Sequence, residues 1–237
     1  MKIINCENSI DALLKGKTAL REALARVLNE PVLFMVSGGS AIELLLDMPF
    51  ALLGSHMTIG LLDERYSKEV GASNSEILQA TDFYKKAVRE EVSFIGMNLA
   101  DKESLEDAAK SYDNDLKEWR RLHKESKVII TQGVGEDGHT AGIMPYPENP
   151  ERFKQMFMND EVWVAGYDAT VSKNKFPLRI TATISFLRNQ VDKSIAYAVG
   201  KSKEPALEKI ALPNGTLWET PARVMREMKD VKVVYAK

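Results

Sequence analysis

The sequence predicts an α/β fold in which helices cover both faces of one doubly wound, mostly parallel sheet of the Rossmann-like kind. Short apolar runs alternate along nearly all of the 237 residues with segments whose apolar side chains recur at helical spacing. Such alternation is typical of right-handed βαβ units, which build parallel sheets. A content of 44% hydrophobic and 28% charged residues is that of a globular chain rather than a disordered or fibrous one.

The first half of the chain gives the clearest element boundaries. Helical spacing over residues 10–28 predicts a helix, with Ser9 as its N-cap. Val32–Val36 is wholly apolar and predicts a buried strand, and the largely apolar residues 58–62 predict another. Between and after these strands, helices are predicted over about residues 41–46 and from Ser104 to about residue 123.

The second half repeats the pattern of strands and helices. An apolar strand over residues 127–131 leads into a glycine-rich loop. Further strands are predicted over residues 162–165, 179–184, 194–199 and 231–235, and helices near residues 185–190, 204–210 and 220–228. No linker rich in Gly, Ser or Pro divides the chain, so we expect a single α/β domain over residues 1–237.

Composition excludes several classes of protein. A net charge of −2 gives no reason to expect binding to nucleic acid or to an anionic membrane. The only cysteine, Cys6, cannot form an internal disulfide, and no His, Cys or acidic residues occur at metal-ligand spacing. The start of the chain lacks the apolar core of a signal peptide, and the apolar residues 41–53 are interrupted by Glu43, Asp47 and Pro49. We therefore expect a cytoplasmic protein.

The glycine-rich loop after residues 127–131 is the most informative segment. It reads Gly133-Val-Gly-Glu-Asp-Gly-His-Thr-Ala141 and places Asp137 two residues before His139. A strand that ends in such a loop delivers side chains to the carboxyl edge of the sheet, where open α/β folds bind ligands. His139 changes protonation state near neutral pH, and Asp137 can orient it. We interpret the pair as a reaction site; the alternative is a tight turn whose polar groups satisfy only local backbone.

Two more polar segments follow predicted strands. Ser37-Gly-Gly-Ser40 offers backbone amides and hydroxyls to an anion, although the same four residues also form common flexible turns. Asp63-Glu-Arg65 places charges at the same sheet edge, where Arg65 presents a planar fork suited to a carboxylate or phosphate. The following Ser73-Asn74 is predicted to cap the next helix.

Two cations lie at the ends of later elements. Arg179 begins a predicted strand, and Lys203 stands between a strand and a helix, with Lys201 competing for the same role. In a protein without overall positive charge, such cations indicate local binding of an anion, although each could be an ordinary surface charge.

Taken in order, these segments resemble the 6-phosphogluconolactonase family, within the wider group that includes glucosamine-6-phosphate deaminase. The matching blocks are Ser37-Gly-Gly-Ser40, Leu62-Asp-Glu-Arg65, Ser73-Asn74, Gly133–Ala141, Arg179-Ile-Thr181 and Gly200-Lys-Ser-Lys203. They run across the whole predicted domain, and the Gly-x-Gly-x-Asp-Gly-His-Thr-Ala block is the most specific of them. The chain departs from the family pattern at Ala41-Ile42, where Thr-Pro is usual, and at Tyr66, where Trp is common.

The resemblance implies hydrolysis of 6-phospho-D-glucono-1,5-lactone to 6-phosphogluconate, a step of the oxidative pentose phosphate pathway, with no metal or organic cofactor. In this reaction His139 would take a proton from the attacking water and Asp137 would orient it, while Arg65 would contact the sugar ring or the developing oxyanion. The residues implied to bind the substrate and its phosphate are Ser37, Gly38, Gly39, Ser40, Asp63, Arg179 and Lys203. The expected partner is a small sugar phosphate, with neither nucleic acid nor membrane, and the protein is expected to be a monomer or small homo-oligomer.

Two alternatives remain open from the sequence. Related deaminases place a glutamate five residues after the histidine, and here that position is Met144, whose thioether cannot hold an imidazole in a charged pair. Asp63 matches the proton-transfer aspartate of those deaminases and does not discriminate between the two activities. A sugar-phosphate sensor is the other alternative, although sensors of this kind normally carry a DNA-binding domain, for which the chain offers no spare segment or basic face.

Overall fold

The central feature of the fold is a seven-stranded parallel sheet with the strand order β1-β10-β9-β6-β2-β3-β5. The computed structural model describes residues 1–170 and 175–237. Its strands are β1 (Lys2–Asn5), β2 (Val32–Val36), β3 (Met57–Leu61), β4 (Asp63–Arg65), β5 (Ser93–Phe94), β6 (Lys127–Gly133), β7 (Val164–Asp168), β8 (Leu178–Ala182), β9 (Lys193–Val199) and β10 (Val231–Ala236). The predicted α/β class with a mostly parallel sheet is confirmed.

Helices pack on both faces of the large sheet. They are α1 (Ser9–Ala25), α2 (Asn74–Gln79), α3 (Asp82–Arg89), α4 (Leu105–Leu122), α5 (Pro150–Phe157), α6 (Ile184–Asn189) and α7 (Glu204–Ala211). Successive residues of β2 point to opposite faces, so that Leu33 joins the apolar cluster containing Tyr112 of α4, whereas Phe34 joins the cluster containing Leu20 of α1. Burial on both faces explains why β2 is a continuous apolar run.

The fold also contains a second sheet of three antiparallel strands, β4-β8-β7, which was not predicted from the sequence. Strand β4 continues the chain from β3 after the single residue Leu62 and pairs Asp63 with Thr181 and Arg65 with Arg179. The sequence predicts a loop at Asp63-Glu-Arg65, because three charged residues give no apolar run. This second sheet places Arg65 and Arg179 on neighbouring strands beside the large sheet.

Several predicted elements need correction at their ends. Asn8 is the N-cap of α1, because its side chain accepts a hydrogen bond of 2.9 Å from the Asp11 N–H, and Ser9 is the first helical residue. Strand β8 ends at Ala182 rather than residue 184, because Thr183 caps α6. The helices predicted over residues 41–46 and 220–228 are 3₁₀ helices, over Gly39–Leu45 and Pro221–Arg226.

Other elements were not predicted: β1, β5, α3 and α5. Strand β5 has two residues, too few for a periodic pattern to appear in the sequence, and α2, with six, was predicted only through its cap at Ser73. The predicted helix from Ser104 is confirmed, with the Ser104 hydroxyl accepting from the Asp107 N–H at 3.0 Å. Within residues 1–170 and 175–237, no helix combines the length and hydropathy needed to cross a bilayer.

Candidate active site

A cleft of about 420 Å³ opens at the carboxyl edge of the large sheet, between the loops that follow β2 and β6 and the small sheet. Nine of the ten residues that the sequence analysis selected line it: Ser37, Gly38, Gly39, Ser40, Asp63, Arg65, His139, Arg179 and Lys203. The tenth, Asp137, contacts His139 directly. Lys201, which competed with Lys203 in the sequence, is not among the lining residues. The fold therefore brings the predicted residues together, while their individual roles stay predictions.

His139 and Asp137 form a hydrogen-bonded pair. His139 Nδ1 lies 2.6 Å from Asp137 Oδ1, and the backbone N–H of His139 donates to the same oxygen at 3.0 Å. Because a carboxylate accepts, the contact favours the tautomer with its proton on Nδ1 and its lone pair on Nε2. Burial raises the pKa of Asp137, but the hydrogen bond from His139 and its charge outweigh burial and leave that pKa below its usual value. Asp137 is therefore a carboxylate at neutral pH, and His139 can accept a proton at Nε2.

Glycine at position 135 is required by the closeness of this pair. A Cβ on Gly135 would lie 2.0 Å from His139 Nδ1 and 2.6 Å from Asp137 Oδ1, closer than any real contact. The backbone closes the loop at the same place, because the Gly135 N–H donates to the His139 carbonyl at 2.8 Å. The glycine thus lets the imidazole and carboxylate fold back onto the backbone.

Asp63 faces donors from the protein on several sides. Its side chain is only 8% exposed, and its carboxylate accepts from Ser37 Oγ at 3.0 Å and from Asn74 Nδ2 at 3.3 Å. A guanidinium nitrogen of Arg179 lies 3.9 Å from the same carboxylate. Burial lowers the pKa of Arg179, and the charge of Asp63 partly offsets burial. Direct contact of Asp63 with a phosphate dianion is electrostatically unfavourable, whereas holding Ser37, Asn74 and Arg179 in place is compatible with its surroundings.

Glu64 is a structural support that sequence reasoning missed. It has no solvent exposure and accepts hydrogen bonds of 2.6 Å from the N–H groups of Arg65 and Asn74. The Ser75 N–H and the Ser73 hydroxyl also donate to it, both at 2.8 Å. Burial raises the pKa of Glu64 despite these donors. In the sequence this residue looks like one of three exposed charges, so no local signal could reveal that it ties β4 to the start of α2.

Asn74 also differs from its prediction. Ser73 is the N-cap of α2, as expected, with its hydroxyl accepting from the Glu76 N–H at 3.2 Å. Asn74, by contrast, lines the cleft and donates from Nδ2 to the Asp63 carbonyl at 2.9 Å. A Cβ on Gly38 would lie 2.2 Å from Asn74 Oδ1, so the glycine in the first loop lets the two segments meet.

Arg65 is held by a group of residues that the sequence did not connect with it. Its Nη1 donates to the Ala72 carbonyl at 3.0 Å, and its guanidinium lies 5.4 Å from the centre of the Phe176 ring. Lys175 Nζ lies 4.7 Å from the same ring centre and pairs with Glu69 at 2.7 Å. Both Lys175 and Phe176 line the cleft. They precede a predicted strand and belong to none of the matching blocks, so their place in the site required the structure.

The described lining of the cleft carries an excess of positive charge. Its cations are Arg65, Lys175, Arg179 and Lys203, and its one carboxylate is Asp63. Backbone amides of a glycine-rich loop and several cations are the groups that bind a phosphate or carboxylate. Within residues 1–170 and 175–237, no cluster of His, Cys, Asp and Glu has a geometry that could hold a metal ion.

Comparison with known proteins identifies the family. The model described as "Glucosamine-6-phosphate isomerases/6-phosphogluconolactonase" matches residues 10–235. The chain belongs to this family. It is 28% identical over 132 residues to a protein of Dictyostelium discoideum named probable 6-phosphogluconolactonase, covering 55% of this chain and 52% of that protein. It is 25% identical over 163 residues to the 6-phosphogluconolactonase of Borreliella burgdorferi, covering 68% of this chain and 64% of the relative. The matches thus span about half and just under two thirds of the lengths of these relatives.

Solved structures agree on the fold. A 6-phosphogluconolactonase from Shewanella baltica has a TM-score of 0.79 at 16% identity, covering 99% of this chain and 97% of its own. A monomeric glucosamine-6-phosphate deaminase has a TM-score of 0.71 at 16% identity, covering 100% of this chain and 98% of its own. At these identities the likeness shows the fold alone, and one fold carries both activities. The choice between the activities therefore depends on the residues of the cleft.

Proposed function

We propose that this family member hydrolyses 6-phospho-D-glucono-1,5-lactone to 6-phosphogluconate. The observation that carries the proposal is the hydrogen-bonded His139–Asp137 pair in a cation-rich cleft, because this contact favours a lone pair on Nε2 of the imidazole. Two relatives named as lactonases lend support. This reaction needs one activated water and a site for a developing oxyanion. The imidazole of His139 can activate the water, and Arg65 can contact the oxyanion.

In the proposed mechanism His139 is the general base. Its Nε2 takes a proton from water as the water oxygen adds to the lactone carbonyl carbon, which gives a tetrahedral oxyanion. Collapse of this intermediate breaks the bond to the ring oxygen, and the imidazolium returns its proton to that oxygen. Asp137 holds the imidazole and stabilises its protonated form. Arg65 is proposed to contact the sugar ring or the oxyanion.

The phosphate is proposed to bind where the cations meet the first glycine loop. Arg179 and Lys203 supply charge, and the loop from Ser37 to Ser40 supplies hydroxyls and backbone amides. Because Asp63 already accepts from Ser37 and Asn74, its proposed contribution is to orient these groups or to accept from a sugar hydroxyl. Without the phosphate, Arg65 and Arg179 would repel each other across neighbouring strands.

The second candidate is deamination of glucosamine 6-phosphate, which the family and the fold both allow. Met144 argues against it, because this residue lines the cleft together with His139 at the position of the deaminase glutamate. A thioether neither titrates nor pairs with an imidazolium, so the ring-opening step would lack its carboxylate. A sugar-phosphate sensor without catalysis is the third candidate.

Further parts of the proposal concern the protein as a whole. We propose that it acts as a single domain over residues 1–237, on a small sugar phosphate, with neither metal nor organic cofactor. A cytoplasmic location, a monomeric or small homo-oligomeric state and the absence of nucleic-acid and membrane partners belong to the same proposal. The span of the family match, residues 10–235, supports the single domain.

The deciding experiment is a direct assay of both reactions with the purified protein. Lactone hydrolysis is followed as acid release from freshly generated 6-phosphogluconolactone, corrected for spontaneous hydrolysis, and deamination as ammonia release from glucosamine 6-phosphate. We expect hydrolysis without added metal or nucleotide and no ammonia. Ammonia release at a comparable rate would favour the deaminase, and absence of both activities with retained sugar-phosphate binding would favour the sensor.

A further inference from the structure

The chain reverses direction immediately after His139, in a tight turn over residues 140–143. The Ile143 N–H donates to the Thr140 carbonyl at 2.8 Å, and the two central residues have positive φ, +51° at Ala141 and +71° at Gly142. This is the pattern of a type I′ turn, which favours glycine or asparagine at both central positions. An alanine in the left-handed region is strained and persists only where its surroundings hold it.

Hydroxyl groups of the small sheet hold both central carbonyls of the turn. Thr181 Oγ1 on β8 donates to the Ala141 carbonyl, and Tyr167 Oη on β7 donates to the Gly142 carbonyl at 2.6 Å. The Met144 N–H donates back to Tyr167 Oη at 3.0 Å. The turn after His139 is thus fixed by two side chains that have no other place in the proposed mechanism.

Fixing a carbonyl also fixes the N–H on the other side of the same peptide. In a planar trans peptide the C=O and N–H point in opposite directions. With the Ala141 carbonyl directed at Thr181, the Gly142 N–H points away from Thr181. No residue among 1–170 and 175–237 accepts a hydrogen bond from it, and Ala141 and Gly142 both form part of the cleft wall.

We propose that the Gly142 N–H is an oxyanion donor, held in position by Thr181 and Tyr167. This inference rests on the proposed lactone hydrolysis and adds a backbone group to it. When the water oxygen bonds to the lactone carbon and Nε2 of His139 takes the proton, the carbonyl π electrons move onto the carbonyl oxygen. The Gly142 N–H donates to that oxygen in the transition state.

The position and polarity of the group suit this role. Gly142 is three residues from His139 within one loop, so base and donor are carried by the same rigid segment. Donation by Thr181 into the Ala141 carbonyl polarises the peptide and makes its N–H a stronger donor. A backbone donor of fixed direction needs no reorganisation during the reaction, unlike the long side chain of Arg65.

The most direct test removes the donor atom. Replacing Gly142 with glycolic acid, by incorporation of the α-hydroxy acid during translation of the full chain, turns the Ala141–Gly142 amide into an ester without an N–H. We expect kcat for lactone hydrolysis to fall by about 10²-fold, as for loss of other oxyanion donors. The affinity for 6-phosphogluconate, measured by calorimetry, should stay within about 2-fold, because a donor to the transition state does not act on the ground state.

A matched side-chain pair tests how the donor is held. Thr181→Val removes the hydroxyl at nearly constant volume and should lower kcat about 10-fold with little change in KM, whereas Thr181→Ser keeps the hydroxyl and should restore most of the loss. Tyr112→Phe is the control, because Tyr112 is also buried and donates at 2.6 Å to a strand carbonyl, that of Leu61 in the core. It should lose comparable stability and keep the parent kcat.

The outcomes separate this inference from the function on which it rests. A parent protein without lactonase activity overturns both. An active parent whose glycolic-acid variant keeps kcat within about 2-fold overturns the oxyanion role alone. If that variant does not fold, the threonine series decides: equal kcat in Thr181→Val and Thr181→Ser, or an equal loss in Tyr112→Phe, overturns the inference.

Discussion

The hollows at the two edges of the parallel sheet are each lined by four described cations but differ in the number of carboxylates that balance them. At the amino edge, a groove of about 270 Å³ between α1 and the starts of β6, β9 and β10 is lined by four acidic and four basic residues. Lys193 pairs there with Asp230, and Lys127 lies 3.9 Å from Asp192. At the carboxyl edge, the described lining of the cleft contains four cations and one carboxylate. An excess of cations over carboxylates in the described lining, rather than charge itself or a hollow, therefore distinguishes the candidate site.

The edges also differ in glycine content. Five glycines line the described part of the cleft, whereas no described residue that lines the groove at the amino edge is a glycine. At the cleft the glycines permit contacts that a Cβ would prevent, as Gly135 does beside His139 and Gly38 does beside Asn74. The carboxyl edge is thus built for close approach of backbone and polar groups, whereas the amino edge is a surface of ordinary ion pairs.

The largest expected effect tests whether lactone hydrolysis takes place in the cleft at the carboxyl edge. His139→Asn should lower turnover of the lactone by about 10²- to 10⁴-fold, because the proposed general base is lost, while thermal unfolding stays near that of the parent. The control is His123→Asn, since His123 stacks on Trp119 at 4.9 Å and does not line the cleft. Near-parental turnover in His139→Asn would show that the base is another group.

The next effect tests why position 135 is a glycine: whether a Cβ would clash with His139, or whether the loop needs a flexible backbone there. Gly135→Ala should lower turnover by about 10²-fold, because the added Cβ displaces the imidazole by the order of 1 Å. Gly133→Ala is the matched control, because Gly133 lines the same cleft and its added Cβ would meet nothing within 4 Å. Steady-state kinetics of the two variants measure the difference. Equal losses would mean that the loop needs flexible backbone at both positions.

A smaller effect compares cations from the two edges. Arg179→Ala or Lys203→Ala should weaken binding of 6-phosphogluconate by about 10- to 100-fold, which corresponds to loss of one contact to a charged group. Lys193→Ala, at the amino edge, and Lys201→Ala, outside the cleft lining, should bind it as the parent does. Calorimetry, with inorganic phosphate as competitor, measures these affinities. If Lys193→Ala weakened binding as much as Arg179→Ala, net charge rather than a pocket would explain the attraction.

Sequence reasoning was most successful where the chain is locally periodic or carries a compact motif. The wholly apolar Val32–Val36 gave both bounds of β2, and the loop containing Asp137 and His139 gave the pair that the structure shows in contact. Strand β4 could not be predicted, because its pairing with β8 joins residues more than one hundred positions apart. Register between distant segments is not encoded in local spacing.

The missed parts of the site share this non-local origin. Glu64 is buried only because the start of α2 folds over it, and Phe176 meets Arg65 only because β4 and β8 are neighbours. The Gly142 N–H, proposed above as an oxyanion donor, is a backbone group, so no residue type in the sequence indicates it. Side chains that line the cleft were thus identified from the sequence, whereas the groups that hold them in place were found only in the structure.

The smallest expected effect separates the stabilising role of the Asp137–His139 contact from its catalytic role. The pKa of Asp137 is below its usual value in the folded protein, so between that pKa and about 4 the unfolded chain binds more protons. The contribution of Asp137 to stability is therefore complete above about pH 4 and is lost as pH falls through the folded pKa. Asp137→Asn removes this pH-dependent contribution and also lowers turnover, because it no longer fixes the tautomer of His139.

The measurement is the free energy of unfolding by denaturant for the parent and for Asp137→Asn from pH 5 to pH 2.5. With the Asp137 side chain 46% exposed, we expect the difference at pH 5 to be at most about 1 kcal/mol and to shrink towards pH 2.5. Asp47→Asn is the comparison, because Asp47 pairs with Lys17 at 3.0 Å and its pKa is also lowered, chiefly by that hydrogen bond. It should follow the same pH trend and keep the parent turnover. A stability difference for Asp137→Asn that grows as pH falls would mean that Asp137 is protonated in the fold, and the tautomer assigned to His139 would then be wrong.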